Sequence, residues 1–153
     1  MSFDKPSLKG RALRYLAARE YSRFELEQKL KPFEENEGEL KAALDDLEAK
    51  GFISEARVVE STLNQKAGKF GAARLLNTLK AKGIDAGVLL ETAEQLKETE
   101  FDRAMDVWTR KFGEPYKTPS EYAKQARFLA SRGFSGEVVG RVIRASKEAG
   151  LES

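Results

Sequence analysis

One local pattern recurs along this chain: an apolar residue, a helix-capping residue, and a second apolar residue four positions beyond the cap. It occurs at Tyr21-Ser22 with Leu26, Ile53-Ser54 with Val58, Phe70-Gly71 with Leu75, Ile84-Asp85 with Leu89, and Phe134-Ser135 with Val139. Such a cap takes up amides that the first turn leaves free, and is worth about 1 kcal/mol where the side chain bonds well. The flanking apolar pair staples the incoming chain onto the helix, and Glu25, three residues after Ser22, completes a capping box. Helix ends repeat as well. Lys50-Gly51-Phe52, Lys82-Gly83-Ile84 and Arg132-Gly133-Phe134 each set a cation, a glycine and an apolar residue in series. Glycine adopts the left-handed stop conformation without a Cβ penalty, and the cation complements the negative end of the helix dipole. Apolar alternation of period two never persists, and Val58-Val59 and Val138-Val139 sit inside helical spacing. The chain is expected to be all-α.

Spacing turns the punctuation into a repeat. Tyr21 and Phe70 stand 49 positions apart, Ile84 and Phe134 stand 50 apart, and Asn36 precedes Asp85 by 49. A period near fifty predicts three tandem three-helix repeats, over 1–53, 54–98 and 99–153. Nine helices are expected, near 7–19, 22–31, 39–50, 54–68, 71–82, 85–97, 99–112, 118–132 and 135–148. Thr118-Pro119-Ser120-Glu121 reads as a capping box with proline at the first helical position. Phe101, Met105, Trp108 and Phe112 share one helix face and read as core. Short turns between units predict an elongated, curved array in which neighbours stabilise one another.

Composition narrows the chemistry. The 153 residues include no Cys and no His, which removes thiolate nucleophiles, disulfides and the usual zinc and copper ligands. Ala67-Gly68-Lys69-Phe70-Gly71 lacks the spacing and the following Ser/Thr of a phosphate loop. Glu34, Glu35, Glu37, Glu39, Asp45, Asp46 and Glu48 crowd one region, with no convergent polar partner, and read as a solvated acidic face and loop. No apolar run approaches the roughly 20 residues of a membrane span, and Met1–Gly10 has no signal-peptide core. The expectation is a non-enzyme without cofactor or metal, soluble in the cytoplasm and monomeric.

Charge is distributed in blocks beneath a net value of +2. Lys66, Lys69, Arg74, Lys80 and Lys82 fall in a stretch, 66–84, with no acidic residue. From Lys124 to Lys147 six cations face the single acid Glu137. Arg11/Arg14, Lys124/Arg127 and Arg141/Arg144 are pairs three apart, side by side on a helix and opposite its apolar stripe. With Arg132, these twelve cations are the candidate contacts for an anionic partner. Phe128, off its helix's stripe, reads as packing between neighbouring units rather than as a base-stacking platform.

The residues also resemble a known family. Ala12-Leu13-Arg14-Tyr15-Leu16-Ala17-Ala18-Arg19-Glu20-Tyr21-Ser22, followed by Glu25-Leu26 and Lys29-Leu30, is similar to the opening unit of the RecX family, regulators of the bacterial recombinase RecA. Gly51-Phe52-Ile53-Ser54-Glu55-Ala56-Arg57 resembles the family's next junction. Phe70-Gly71, Arg74-Leu75, Leu79 and Lys82-Gly83-Ile84 resemble its middle motif, and Arg127-Phe128-Leu129 with Arg132-Gly133-Phe134-Ser135 its last. The family's middle helix often has proline after the glycine and more arginines, where this chain has Ala72, Leu76 and Thr78. An aromatic residue usually follows Arg57, where this chain has Val58. The resemblance implies a protein that binds the RecA filament on single-stranded DNA in its helical groove and reduces ATPase and strand exchange. DNA recombination, DNA repair and the SOS response would be its setting. A helix-turn-helix-like protein that binds single- or double-stranded DNA without a recombinase is the alternative.

Overall fold

The computed structural model describes residues 5–152; the first four residues of the Met1–Gly10 segment and Ser153 lie outside them. Helices α1 (Leu8–Ala18), α2 (Arg23–Leu30), α3 (Glu39–Ala49), α4 (Glu55–Lys66), α5 (Ala72–Ala81), α6 (Ala86–Lys111), α7 (Pro119–Ser131) and α8 (Gly136–Glu152) follow in order, with a 3-10 turn at Lys31–Phe33. No strand occurs among the described residues, and none of their helices is long and apolar enough to cross a membrane. The all-α expectation is met.

One expected break is absent. Helices anticipated over 85–97 and 99–112 are a single 26-residue helix, α6. The sequence there, Lys97-Glu98-Thr99-Glu100, has neither glycine nor proline, and its residues propagate a helix once one has started. The cap at Thr118 is also half of what was expected. Its hydroxyl accepts from the Glu121 amide at 3.1 Å, but the Glu121 carboxylate turns to the amide of Lys117 rather than closing the box.

The chain divides into two compact units. The first takes residues up to 61 together with Ala81–Ile84; the second takes residues 62–80 together with the chain from Asp85 onward. In the first unit Leu40, Ala43, Leu44 and Leu47 form the buried stripe of α3, and Leu26 and Leu30 face it from α2. Leu26, Leu30 and Leu44 are fully buried, and each such side chain contributes about 1.5–3 kcal/mol. The Ser22 box is complete: its hydroxyl accepts from the Glu25 amide at 3.1 Å, and the Glu25 carboxylate accepts from the Ser22 amide at 3.0 Å. The same hydroxyl donates to the carbonyl of Lys82 at 2.5 Å, so a local cap also holds the Ala81–Ile84 segment of this unit to α2.

The acidic region of this unit is engaged in ion pairs. Asp45 meets Lys41 and Arg23, Asp46 meets Lys9 and Lys50, and Glu48 meets Arg23. Lys41 and then Arg23 hold the Asp45 carboxyl below its usual range, and Lys9 and then Lys50 do the same for Asp46. Burial pushes Glu25 upward, but the Arg19 side chain, the Ser22 amide and the Lys82 charge outweigh it and leave Glu25 lowered. Carboxyls lowered in the folded state lend stability above their unfolded values, about 3.9–4.3, and that stability is lost as the pH falls through the folded values. The thermal midpoint, followed by circular dichroism, should therefore drop as the pH is taken below about 4, and Glu25→Gln should flatten part of that drop. An unchanged acid slope in the variant would remove Glu25 from this account.

The second unit has its own core. Trp108 from α6, Leu129 from α7, and Val139, Val142 and Ile143 from α8 are buried together, with Phe101, Met105 and Phe112 against them. The aromatic face of α6 is core, as its spacing predicts. The Trp108 indole donates to Gln125 at 2.9 Å, which satisfies the one polar atom the ring carries inward.

Candidate partner-binding surface

Two glycine turns of the second unit make close backbone contact. The amide of Gly71, ahead of α5, donates to the Arg132 carbonyl at 2.8 Å. A Cβ at Gly71 would lie 2.3 Å from the Gly133 carbonyl carbon, and one at Gly133 would lie 2.5 Å from Cβ of Arg74. Gly133 also has φ of +92°, open to glycine and strained for other residues. Gly71 therefore sets α5 against the turn between α7 and α8 but has no side chain with which to cap α5.

Glu100, from the middle of α6, takes over that task. Only 6% exposed, its carboxylate accepts from Ala72 at 3.3 Å and from Ser135 at 3.4 Å, so one buried anion serves the starts of both α5 and α8. One turn further along, Arg103 donates to the carbonyls of Phe70 at 2.7 Å and Ala67 at 3.1 Å. Burial lowers the Arg103 guanidinium from its ordinary value, against the raising effect of the Glu100 charge. The Phe70 turn is thus held by α6 through opposite charges that each bond to backbone.

That scaffold presents cations over aromatic rings. The Arg74 guanidinium lies 4.0 Å from the Phe70 ring centre, and Arg132 lies 5.7 Å from the same ring. Arg132 is also 4.9 Å from Phe128, with the Lys111 ammonium 5.1 Å from that ring. Phe128 meets Phe112 edge-on at 5.5 Å, so it packs within the second unit. On α8, Arg141 covers Phe101 at 4.6 Å. A guanidinium held over a ring keeps N–H donors that a carboxylate or phosphate can meet.

The candidate cations fall into distinct environments. Arg74 and Arg132 are brought together over the shared Phe70 ring. Lys66, Lys69, Arg74, Lys80, Lys124, Arg127, Arg132, Arg141 and Arg144 have no carboxylate within 4.0 Å among the described residues. Lys82 belongs to the first unit, with its carbonyl bonded to Ser22 and its charge acting on Glu25. Arg11, also in the first unit, lies 3.8 Å from the centre of the Phe33 ring, and Arg14 lines the same depression. Lys111 escaped the sequence reading because its partner ring arrives from α7; the off-stripe position of Phe128 was the available signal.

Comparison with known proteins identifies the family of the fold. Residues 9–47 match the model of the first three-helix domain of RecX, and residues 98–143 match that of the third. The chain is 49% identical over 146 residues to the regulatory protein RecX of Leptothrix cholodnii, covering 94% of this chain and 93% of that one. With the corresponding protein of Herminiimonas arsenicoxydans it shares 47% over 142 residues, 93% and 94% of the two chains. The crystal structure of RecX from Lactobacillus salivarius is similar in fold at 20% identity, with a TM-score of 0.75 over 92% of this chain and 94% of that one. The chain belongs to the RecX family of regulatory proteins.

Proposed function

We propose that this protein is a non-catalytic regulator that binds the filament formed by RecA on single-stranded DNA, lies in its helical groove, and inhibits ATPase and strand exchange. The observation that supports this most directly is the set of Arg74, Arg132 and Lys111 over Phe70 and Phe128, with no carboxylate within 4.0 Å of any of the three among the described residues. Residues 54–98 are taken as a middle repeat, so that three units contribute contacts. Several modest contacts from linked units add through effective concentration, which suits a repeating partner such as a filament. The protein acts as a cytoplasmic monomer in recombination and repair, including the SOS response.

The test is RecA ATPase on single-stranded DNA, titrated with this protein, alongside electron microscopy of the filaments. A saturable fall in hydrolysis with protein seen on the filament is expected. No change at saturation, with bare filaments, would sink the proposal. Binding to DNA alone separates the helix-turn-helix-like alternative. Tight recombinase-independent binding, with a log–log salt slope near about −0.7 per neutralised phosphate on single strands, would favour it.

A further inference from the structure

The first unit carries a second cation–aromatic site, this one lining a depression. Arg11, Arg14 and Tyr15, on one face of α1, together with Leu30 and Phe33 line a depression of about 150 Å³. The Arg11 guanidinium carbon lies over the Phe33 ring, 3.8 Å from its centre, and the Lys29 ammonium stands 5.3 Å from the Tyr15 ring. No carboxylate lies within 4.0 Å of Arg11, Arg14, Lys29 or Lys31 among the described residues, although acidic side chains of the same unit pair with Lys5, Lys9, Arg23, Lys41 and Lys50. Phe33 remains 45% exposed, at the rim of an apolar floor.

We propose that this depression is a docking site for an acidic peptide segment carrying one apolar side chain, such as leucine or phenylalanine, between its carboxylates. The cavity is of side-chain size, its floor is the buried Leu30 and the Tyr15 ring, and its rim is cationic. Arg11 and Arg14 offer N–H edges to the carboxylates, a geometry in which arginine can bond both oxygens. Single-stranded nucleic acid fits less well. Arg11 already occupies one face of Phe33, while Lys29 and the Tyr21 ring at 5.4 Å stand beside Tyr15, so a stacking base would compete with those contacts. Charge complementarity thus selects a protein partner with an acidic, apolar-anchored segment.

The inference does not rest on the RecA proposal, and its test contains no recombinase. A fluorescein-labelled peptide, Asp-Glu-Leu-Asp-Glu, is titrated with the full chain and followed by anisotropy, beside Asp-Glu-Gly-Asp-Glu and a labelled oligothymidylate. Saturable binding of the leucine peptide is expected, at least tenfold tighter than the glycine peptide. Arg11→Gln with Arg14→Gln should weaken it tenfold or more, while changing the exposed Lys97 to glutamine leaves it unchanged. Circular dichroism checks that the variants fold. Equal binding of the two peptides, indifference to the Arg11/Arg14 change, or oligothymidylate as the only ligand lost on that change would each overturn the proposal.

Discussion

With Arg74, Lys111 and Arg132 all changed to glutamine, half-inhibition of the RecA ATPase is expected to need about a hundredfold more protein. A hydrogen bond to a charged group contributes about 1.5–3 kcal/mol, and every 1.4 kcal/mol is tenfold in affinity, so losing even two such contacts reaches that figure. The fold should survive, because exposed cation–aromatic contacts are worth about 0.5–1 kcal/mol each. The three were chosen by geometry, since all lie over Phe70 or Phe128. Changing Lys66, Lys69 and Lys80 to glutamine removes the same charge from the same unit without touching either ring. A much smaller shift in that control is expected; an equal shift would mean that total charge matters and the ring-backed cluster does not.

Replacing Gly71 with alanine should cost the second unit about 3 kcal/mol or more, the upper end of what overpacking does. The added methyl would lie 2.3 Å from the backbone of Gly133, and backbone cannot swing aside as a long side chain can. Gly133→Ala should be comparably damaging, because its methyl meets Arg74 and the left-handed conformation itself costs roughly 1–2 kcal/mol. Gly136→Ala is the control. Nothing lies within 4 Å of its position and no positive φ is involved, so it should be neutral or slightly stabilising. Urea unfolding followed by Trp108 fluorescence reads all three, since Trp108 is buried in that core. A Gly71→Ala midpoint equal to that of the unsubstituted chain would refute the close-approach argument.

Much of this molecule was legible from residue order because its signals are local. The caps at Ser22, Ser54, Asp85 and Ser135 bond within three residues, and Gly51, Gly83 and Gly133 take the positive φ their positions predicted. The continuous α6 was missed because a period near fifty suggested a boundary where no stop residue stands. The misreading also hid Glu100 and Arg103, placed beside an imagined turn although they lie in a helix interior.

What the sequence determined by itself was the all-helical class, most helix ends, the apolar stripes and the inventory of cations. Capping, glycine stops and helical periodicity act over four residues or fewer, so they need no knowledge of neighbours. Tertiary structure alone decided which cations share a surface. Glu100 reaches the starts of α5 and α8 from 28 and 35 residues away, and Arg74 and Arg132 share the Phe70 ring although 58 positions separate them in the chain. Lys111 joins them through Phe128, a ring brought by a different helix. Such groups meet because hydrophobic burial packs whole helices, and a nondirectional force leaves no residue-to-residue signature in the order of the chain.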